Sequence, residues 1–209
     1  MPDPGEQLIA LGAATLGESG GRPMRARIRP VWLGARLAAP AFAVRCTPGD
    51  NLAIHVATAR APAGSVLAVE VGIERDLGYW GEVLTTAAIA RGIAGLVIDG
   101  CVRDVAALAA HRFPVFSTGV ALPGATKELP GATGGSAEVG DVVVQTGDWL
   151  VGEADGVTVV PAAQLADVLA AGQARADREQ GLFEALRDGK TTVELLGIDP
   201  SPIDDEGNE

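Results

Sequence analysis

Aromatic residues are scarce in this sequence: they fill 4% of its 209 positions, with one Tyr and three Trp. The core must therefore be built mainly of Ala, Val, Leu and Ile, which the 47% apolar fraction supplies. Cysteine is equally sparse. Cys46 and Cys101 lie far apart and lack zinc-ligand spacing, so neither a disulfide framework nor a zinc site is indicated. The two histidines, His55 and His111, also lack ligand-like spacing and are expected in structural or surface roles. No apolar run approaches the roughly 20 residues that span a bilayer. The acidic opening MPDPGEQLIA has no basic segment of a secretory signal. Cations are in deficit, with 16 Lys and Arg against 27 Asp and Glu and a net charge of -11. That balance disfavours nucleic acid, whose phosphates need clustered cations, and an anionic membrane surface. A small anionic substrate is still allowed, because it needs only one or two local cations and oriented backbone amides. A cytoplasmic, reduced setting is the expectation.

The length predicts one α/β domain over residues 1–198, followed by an acidic, disordered tail over 199–209. A first helix is predicted over residues 5–21. A strand follows over 41–46, then a helix capped near Asp50 or Asn51. From there the pattern alternates. SVLAVEV and IAGLVID read as strands buried on both faces, and FPVFST as a third. GEVLTTAAIARG and VAALAAHR read as the helices between them, the first stopping at Gly92. This alternation predicts parallel strands joined by right-handed crossovers. Residues 119–141 read as loop, and the part from Leu122 to Gly140 is expected to line the pocket. Residues 142–161 read as three short strands in an antiparallel layer beside the parallel one. Pro161 is placed at the start of a long C-terminal helix. No internal repeat is present.

The stretch WGEVLTTAAIARGIAGLVIDGCVRD carries the chemistry. At one end, Gly81 precedes a helix whose first N–H groups have no internal partners and can hold a carboxylate. At the other, Arg103 and Asp104 follow a strand. Arg103 is a candidate to stabilise an enolate oxygen, and Asp104 to bind a divalent cation. Each feature also has an ordinary explanation. Glu82 can be a dipole-complementing first-turn acid, Arg103 a solvated cation, and Asp104 the N-cap of the next helix. A helix that leads into the next parallel strand returns the chain across the sheet, so both ends should meet at one edge. Cys101 reads as a small packing residue with no nearby base. Trp80 and Trp149 read as core or interface.

Twenty residues separate Glu82 from Arg103, and Asp104 follows at once. This spacing resembles the acid-X20-Arg-Asp pattern of the 4-hydroxy-4-methyl-2-oxoglutarate aldolases, whose wider family includes the regulator of ribonuclease activity A. RPVWLGARLAAPAFAVRCTPGDN, FPVFSTGV and GDWLVGEADGVTVVP resemble that family in the same order, over roughly residues 29–161. The resemblance implies a swivelling β/β/α-like fold and a metal-dependent pyruvate aldolase with oxaloacetate decarboxylation as a side activity. It implies Mg²⁺ or Mn²⁺ on Asp104. It implies a 2-keto acid carboxylate on the Gly81, Glu82, Val83 and Leu84 backbone, Arg103 on the enolate oxygen, and Glu82 orienting water or moving protons. It further implies a homotrimer or hexamer in which a neighbour's C-terminal acid completes the site, with Glu179 the candidate although nothing local distinguishes it from Glu184. Two departures stand out: Glu82 where the family often has Asp, and Gly72-Ile73 where it often has Gly-Gly. The competing implication is a non-catalytic acidic regulator that docks on a protein partner such as a ribonuclease. The menaquinone methyltransferase label also attached to this family has no support, because no glycine-rich loop with a ribose-binding acid follows the first strand.

Overall fold

A computed structural model describes residues 3–203. Its centre is a mixed sheet. In spatial order the strands are Arg22–Pro23, Gly156–Val160, Trp149–Glu153, Leu37–Arg45, Val66–Glu70, Gly95–Ile98, Val115–Ser117 and Arg29–Pro30, with Ala132–Thr133 also paired to Leu37–Arg45. The four strands from Leu37–Arg45 to Val115–Ser117 run parallel, as the alternation predicts.

Leu37–Arg45 is the seam between the two halves. Residues 37–40 pair antiparallel with Trp149–Glu153, and residues 41–45 pair parallel with Val66–Glu70. Pro40, which has no N–H to donate, sits at the changeover, where its missing donor interrupts neither ladder. The antiparallel strands therefore extend the parallel sheet. The sheet also curls strongly. A Cβ on Gly152 would lie 2.7 Å from the Phe116 ring, although four strand-to-strand steps separate the two residues.

Both faces are covered, which is why the central strands read as unbroken apolar runs. Leu67, Val69, Leu96, Ile98 and Val115 face the helices Leu52–Arg60, Glu82–Ala90 and Val105–Ala110. Ala41, Ala43, Val66, Ala68, Val97 and Phe116 face the other way, onto Ala137, Val139 and Val144. Those last three belong to a hairpin, Ser136–Val139 with Val142–Gln145. The layers are thus hairpin, sheet and helices, the expected β/β/α arrangement. The hairpin corrects part of the loop expected over residues 119–141. Its turn is Gly140-Asp141, both at positive φ (58° and 60°), the two-residue geometry that suits strand twist.

Three boundaries differ from expectation. The N-terminal helix is two pieces, Pro4–Leu11 and Ala13–Gly17, because Gly12 takes φ 80°. The Glu153 carboxylate then accepts from Ala13 N–H at 2.6 Å and caps the second piece. Pro161 opens a 3₁₀ turn, Ala162–Gln164, before the helix Leu165–Arg187. The helix Thr192–Leu196 was not anticipated. Its signal is the capping box Thr191/Glu194, with Gly197 as stop. Residues 199–203 are seen, with Asp199 accepting from Ser201; the rest of the expected acidic tail, 204–209, lies outside the described residues. Among the described residues no helix is long and apolar enough to cross a membrane.

The loop that carries Arg103 and Asp104 is tied down at its origin by Asp99. This buried carboxylate accepts from Arg27 Nε and Nη2 (2.9 and 2.7 Å), from Arg75 Nε (3.1 Å) and from Gly140 N–H (3.0 Å). Burial pushes its carboxyl up, but Arg27, the Gly140 amide and Arg75 together hold it below the usual carboxylate range. A depressed folded value means that stability is present above about pH 4 and lost as pH falls through the folded value. Asp99→Ala should destabilise towards the lower end of roughly 3–5 kcal/mol, since Arg27 and Arg75 keep partial access to water. Urea unfolding at pH 7 and at pH 3 checks this: the gap between wild type and variant should shrink in acid.

Candidate active site

The two ends of the WGEVLTTAAIARGIAGLVIDGCVRD unit meet, and the contact is a hydrogen bond. The Asp104 carboxylate accepts from Glu82 N–H at 3.0 Å, which caps the helix Glu82–Ala90. Asp104 also occupies the N-cap position of its own helix, Val105–Ala110, but its side chain makes no cap bond there. Its backbone sits in the left-handed region, φ 58°, where Asp is among the few tolerated non-glycine residues. The expected cap is real, but it belongs to the neighbouring helix.

Gly81 is needed for this contact. A Cβ there would collide with the Asp104 carboxylate, so the space beside Gly81 is taken by Asp104. With Glu82 N–H already bonded, the first-turn donors left for an anion are those of Val83 and Leu84. Arg103 runs through a slot walled by three glycines. Added Cβ atoms would stand 3.0 Å from its Cδ at Gly78, 3.1 Å from its Cγ at Gly81 and 3.3 Å from Nη1 at Gly124. Its Nε lies 3.9 Å from the Asp104 carboxylate.

These residues line a cleft of about 140 Å³ together with Asn51, His55, Tyr79 and Lys127. Sites for drug-sized ligands run to roughly 300–1,000 Å³, so the cleft suits a small acid rather than a nucleotide. Of the expected site residues, Gly81, Val83, Leu84, Arg103 and Asp104 come together here. The Glu82 carboxylate instead approaches His111 Nε2 at 3.5 Å. Glu179 pairs with Arg175 at 2.8 Å on its own helix, and Glu184 accepts from Gln180. From residues 122–140, Lys127 reaches the cleft wall and Gly124 stands against Arg103. Trp80 is fully buried, bonded to Thr85 and stacked on Phe113, and Trp149 packs on the N-terminal helices.

Asn51 is expected only as a helix cap and His55 in a structural or surface role, whereas Lys127 lies in the segment expected to line the pocket; the three arrive from two other segments. Their placement traces to Asp50, which is buried and accepts from Leu52 N–H (2.8 Å), Glu128 N–H (2.6 Å), Leu129 N–H (3.1 Å) and the Thr126 hydroxyl (2.7 Å). Burial raises its carboxyl, but these donors outweigh it and bring it to about 2. One carboxylate thus begins the helix Leu52–Arg60 and pins the loop that carries Lys127 over the same cleft. A larger groove, about 1130 Å³, lies between Pro4–Leu11 and Leu165–Arg187. Apart from Asp3, the described residues of its walls include no charged side chain and so no acid–base pair.

As a cation site, Asp104 offers one carboxylate, and among the described residues no cluster of three or more His, Cys, Asp and Glu surrounds a common point. That donor set fits a hard, largely hydrated ion held by one protein carboxylate and a chelating substrate.

The family model described as RraA-like, Aldolase/RraA, matches residues 13–159. The chain belongs to the RraA-like family. A relative from Halalkalibacterium halodurans, provisionally named a 4-hydroxy-4-methyl-2-oxoglutarate aldolase, is 31% identical over 79% of both chains. An uncharacterised protein from Pseudomonas syringae pv. tomato has a crystal structure similar at TM-score 0.73, with 28% identity over 87% of this chain and 88% of that one. The RNA-processing inhibitor RraA from Thermus thermophilis shares the fold at TM-score 0.65, with 24% identity over 71% of this chain and 92% of that one.

Replacing Asp50 with Ala should free the 126–129 loop, because each hydrogen bond to a charged acceptor contributes roughly 1.5–3 kcal/mol. The check is amide hydrogen exchange: at least tenfold faster at Glu128 and Leu129, with the amides of Gly95–Ile98 little changed.

Proposed function

We propose that this chain is a divalent-metal-dependent pyruvate aldolase. It cleaves 4-hydroxy-2-keto acids of the 4-hydroxy-4-methyl-2-oxoglutarate type, and it decarboxylates oxaloacetate through the same enolate. The observation that carries this reading is the meeting of Arg103, Asp104 and the free helix donors in one small cleft. The names of the relatives support it.

Asp104 would hold Mg²⁺ or Mn²⁺ through the carboxylate oxygen not bonded to Glu82, and the ion supplies Lewis acidity to the keto oxygen. The Val83 and Leu84 N–H groups bind the substrate carboxylate at the positive end of the helix dipole. Arg103, fixed in its glycine slot, stabilises the negative charge that develops on the enolate oxygen as the carbon–carbon bond breaks. Glu82 contributes its backbone to the site; its side chain would have to leave His111 to order water. We extend the reading to a homotrimer or hexamer. For Glu179 to complete a neighbour's cleft it would have to exchange its pairing with Arg175.

The acidic-regulator reading rests on the net charge of -11. It gives no role to the Arg103–Asp104 arrangement, so the enzyme reading is preferred.

Pyruvate release from 4-hydroxy-4-methyl-2-oxoglutarate and from oxaloacetate, with Mg²⁺ or with EDTA, tests the proposal. Turnover should vanish in EDTA. Arg103→Ala should lower kcat by about 10²–10³, the usual loss for one transition-state donor. Metal-independent turnover, or an Arg103→Ala variant with wild-type kcat, would refute it.

A further inference from the structure

Two buried polar atoms beside the cleft have no hydrogen-bond partner among the described residues: Asn51 Oδ1 and His55 Nε2. Leaving such an atom buried and unpaired is costly, and orphans of this kind call for a functional explanation.

Asn51 occupies the N-cap of Leu52–Arg60, where an Asn oxygen ordinarily accepts from its own helix. Here the side chain makes no cap bond. Its Nδ2 donates instead to Tyr79 O at 2.8 Å, which fixes the amide orientation and leaves Oδ1 for something else. The Asp50 carboxylate takes over the capping of Leu52 N–H. His55 lies four residues on, so it shares a helix face with Asn51. Both side chains line the cleft that holds Arg103 and Asp104. Burial lowers the His55 pKa first and the Lys127 cation lowers it further, against a smaller opposing effect of Asp50, so the neutral ring is favoured; with its proton on Nδ1, Nε2 is an acceptor. Two acceptors on the wall of one cleft select a donor. They would receive a hydroxyl.

We propose that Asn51 Oδ1 and His55 Nε2 form the hydroxyl-recognition subsite of the cleft, with His55 as the base for aldol cleavage. The inference rests on the aldolase reading and deepens it. The substrate's C4 hydroxyl donates to the pair. His55 Nε2 takes its proton, the C3–C4 bond breaks, and C4 becomes a carbonyl carbon. The electron pair of the broken bond enters the enolate of the pyruvate half beside Arg103. His55 then releases its proton to solvent, and the enolate takes one from water at C3. Oxaloacetate decarboxylation has no hydroxyl proton to remove, so it bypasses this pair.

The test compares the two reactions in one preparation of full-length protein with Mg²⁺. His55→Ala should lower kcat for 4-hydroxy-4-methyl-2-oxoglutarate by about 10²–10⁴-fold, the range for a lost general base, while oxaloacetate turnover stays within about threefold. Added imidazole should restore part of the lost cleavage. Should His55→Ala not fold, His55→Gln keeps a polar side chain without a comparable base and should give the same split. A parallel loss in both reactions, or unchanged aldol cleavage, would overturn the role of His55 while leaving the aldolase reading intact. A wild-type chain inert towards both substrates would sink the aldolase reading and this inference with it.

Discussion

The bond from Glu82 N–H to the Asp104 carboxylate is the constraint on which the site depends. It closes the βαβ unit on itself by letting a residue from the far end of the unit cap the helix at the near end. It sets the Asp104 rotamer and requires a glycine at position 81. It also uses one of the helix's free donors, so Val83 and Leu84 keep the remaining free first-turn N–H groups at the cleft. Asp104 thereby offers one oxygen to the fold, and the other is the one that the proposed reading gives to a cation. A single carboxylate joins the structural and chemical halves of the site.

Behind that contact the sheet provides rigidity. Its central strands are buried on both faces, by three helices on one side and the hairpin on the other. A loop at the carboxyl end of such a strand moves little if its origin is held, and Asp99 holds it with two arginines and a backbone amide. Asp50 does the same for the opposite wall of the cleft. Two buried aspartates, each kept ionised by its donors, therefore position a site whose reactive groups stay half-exposed. Charge is buried where it fixes geometry and left in reach of water where it must meet a ligand.

The parallel half of the fold was legible because its signals are local: unbroken apolar strands, alanine-rich helices and a stop at Gly92. The meeting of residues 81–84 with Arg103 and Asp104 was legible too, since it follows from the crossover. The hairpin was obscured because Ser136–Val139 offers only alternate apolar residues inside a glycine-rich stretch. The Gly-Asp pair before VVVQ was its available signal. Asp104 looked like the cap of the helix that follows it, because nothing nearby reveals that its partner lies 22 residues earlier. Asn51, His55 and Lys127 join the cleft only through the path of the chain in space. The twenty-residue spacing pointed to Glu82 as a site acid, yet its side chain turns to His111 and its backbone enters the site.

The account's central claim is that one cleft binds a planar keto-acid carboxylate and a divalent cation together. Oxalate, a planar mimic of the pyruvate enolate, tests it directly by calorimetric titration. The account predicts that oxalate binds in the presence of Mg²⁺ and that removing the metal, or replacing Asp104 with Asn, abolishes binding. Oxalate binding of equal strength without Mg²⁺, or in Asp104→Asn, would contradict it.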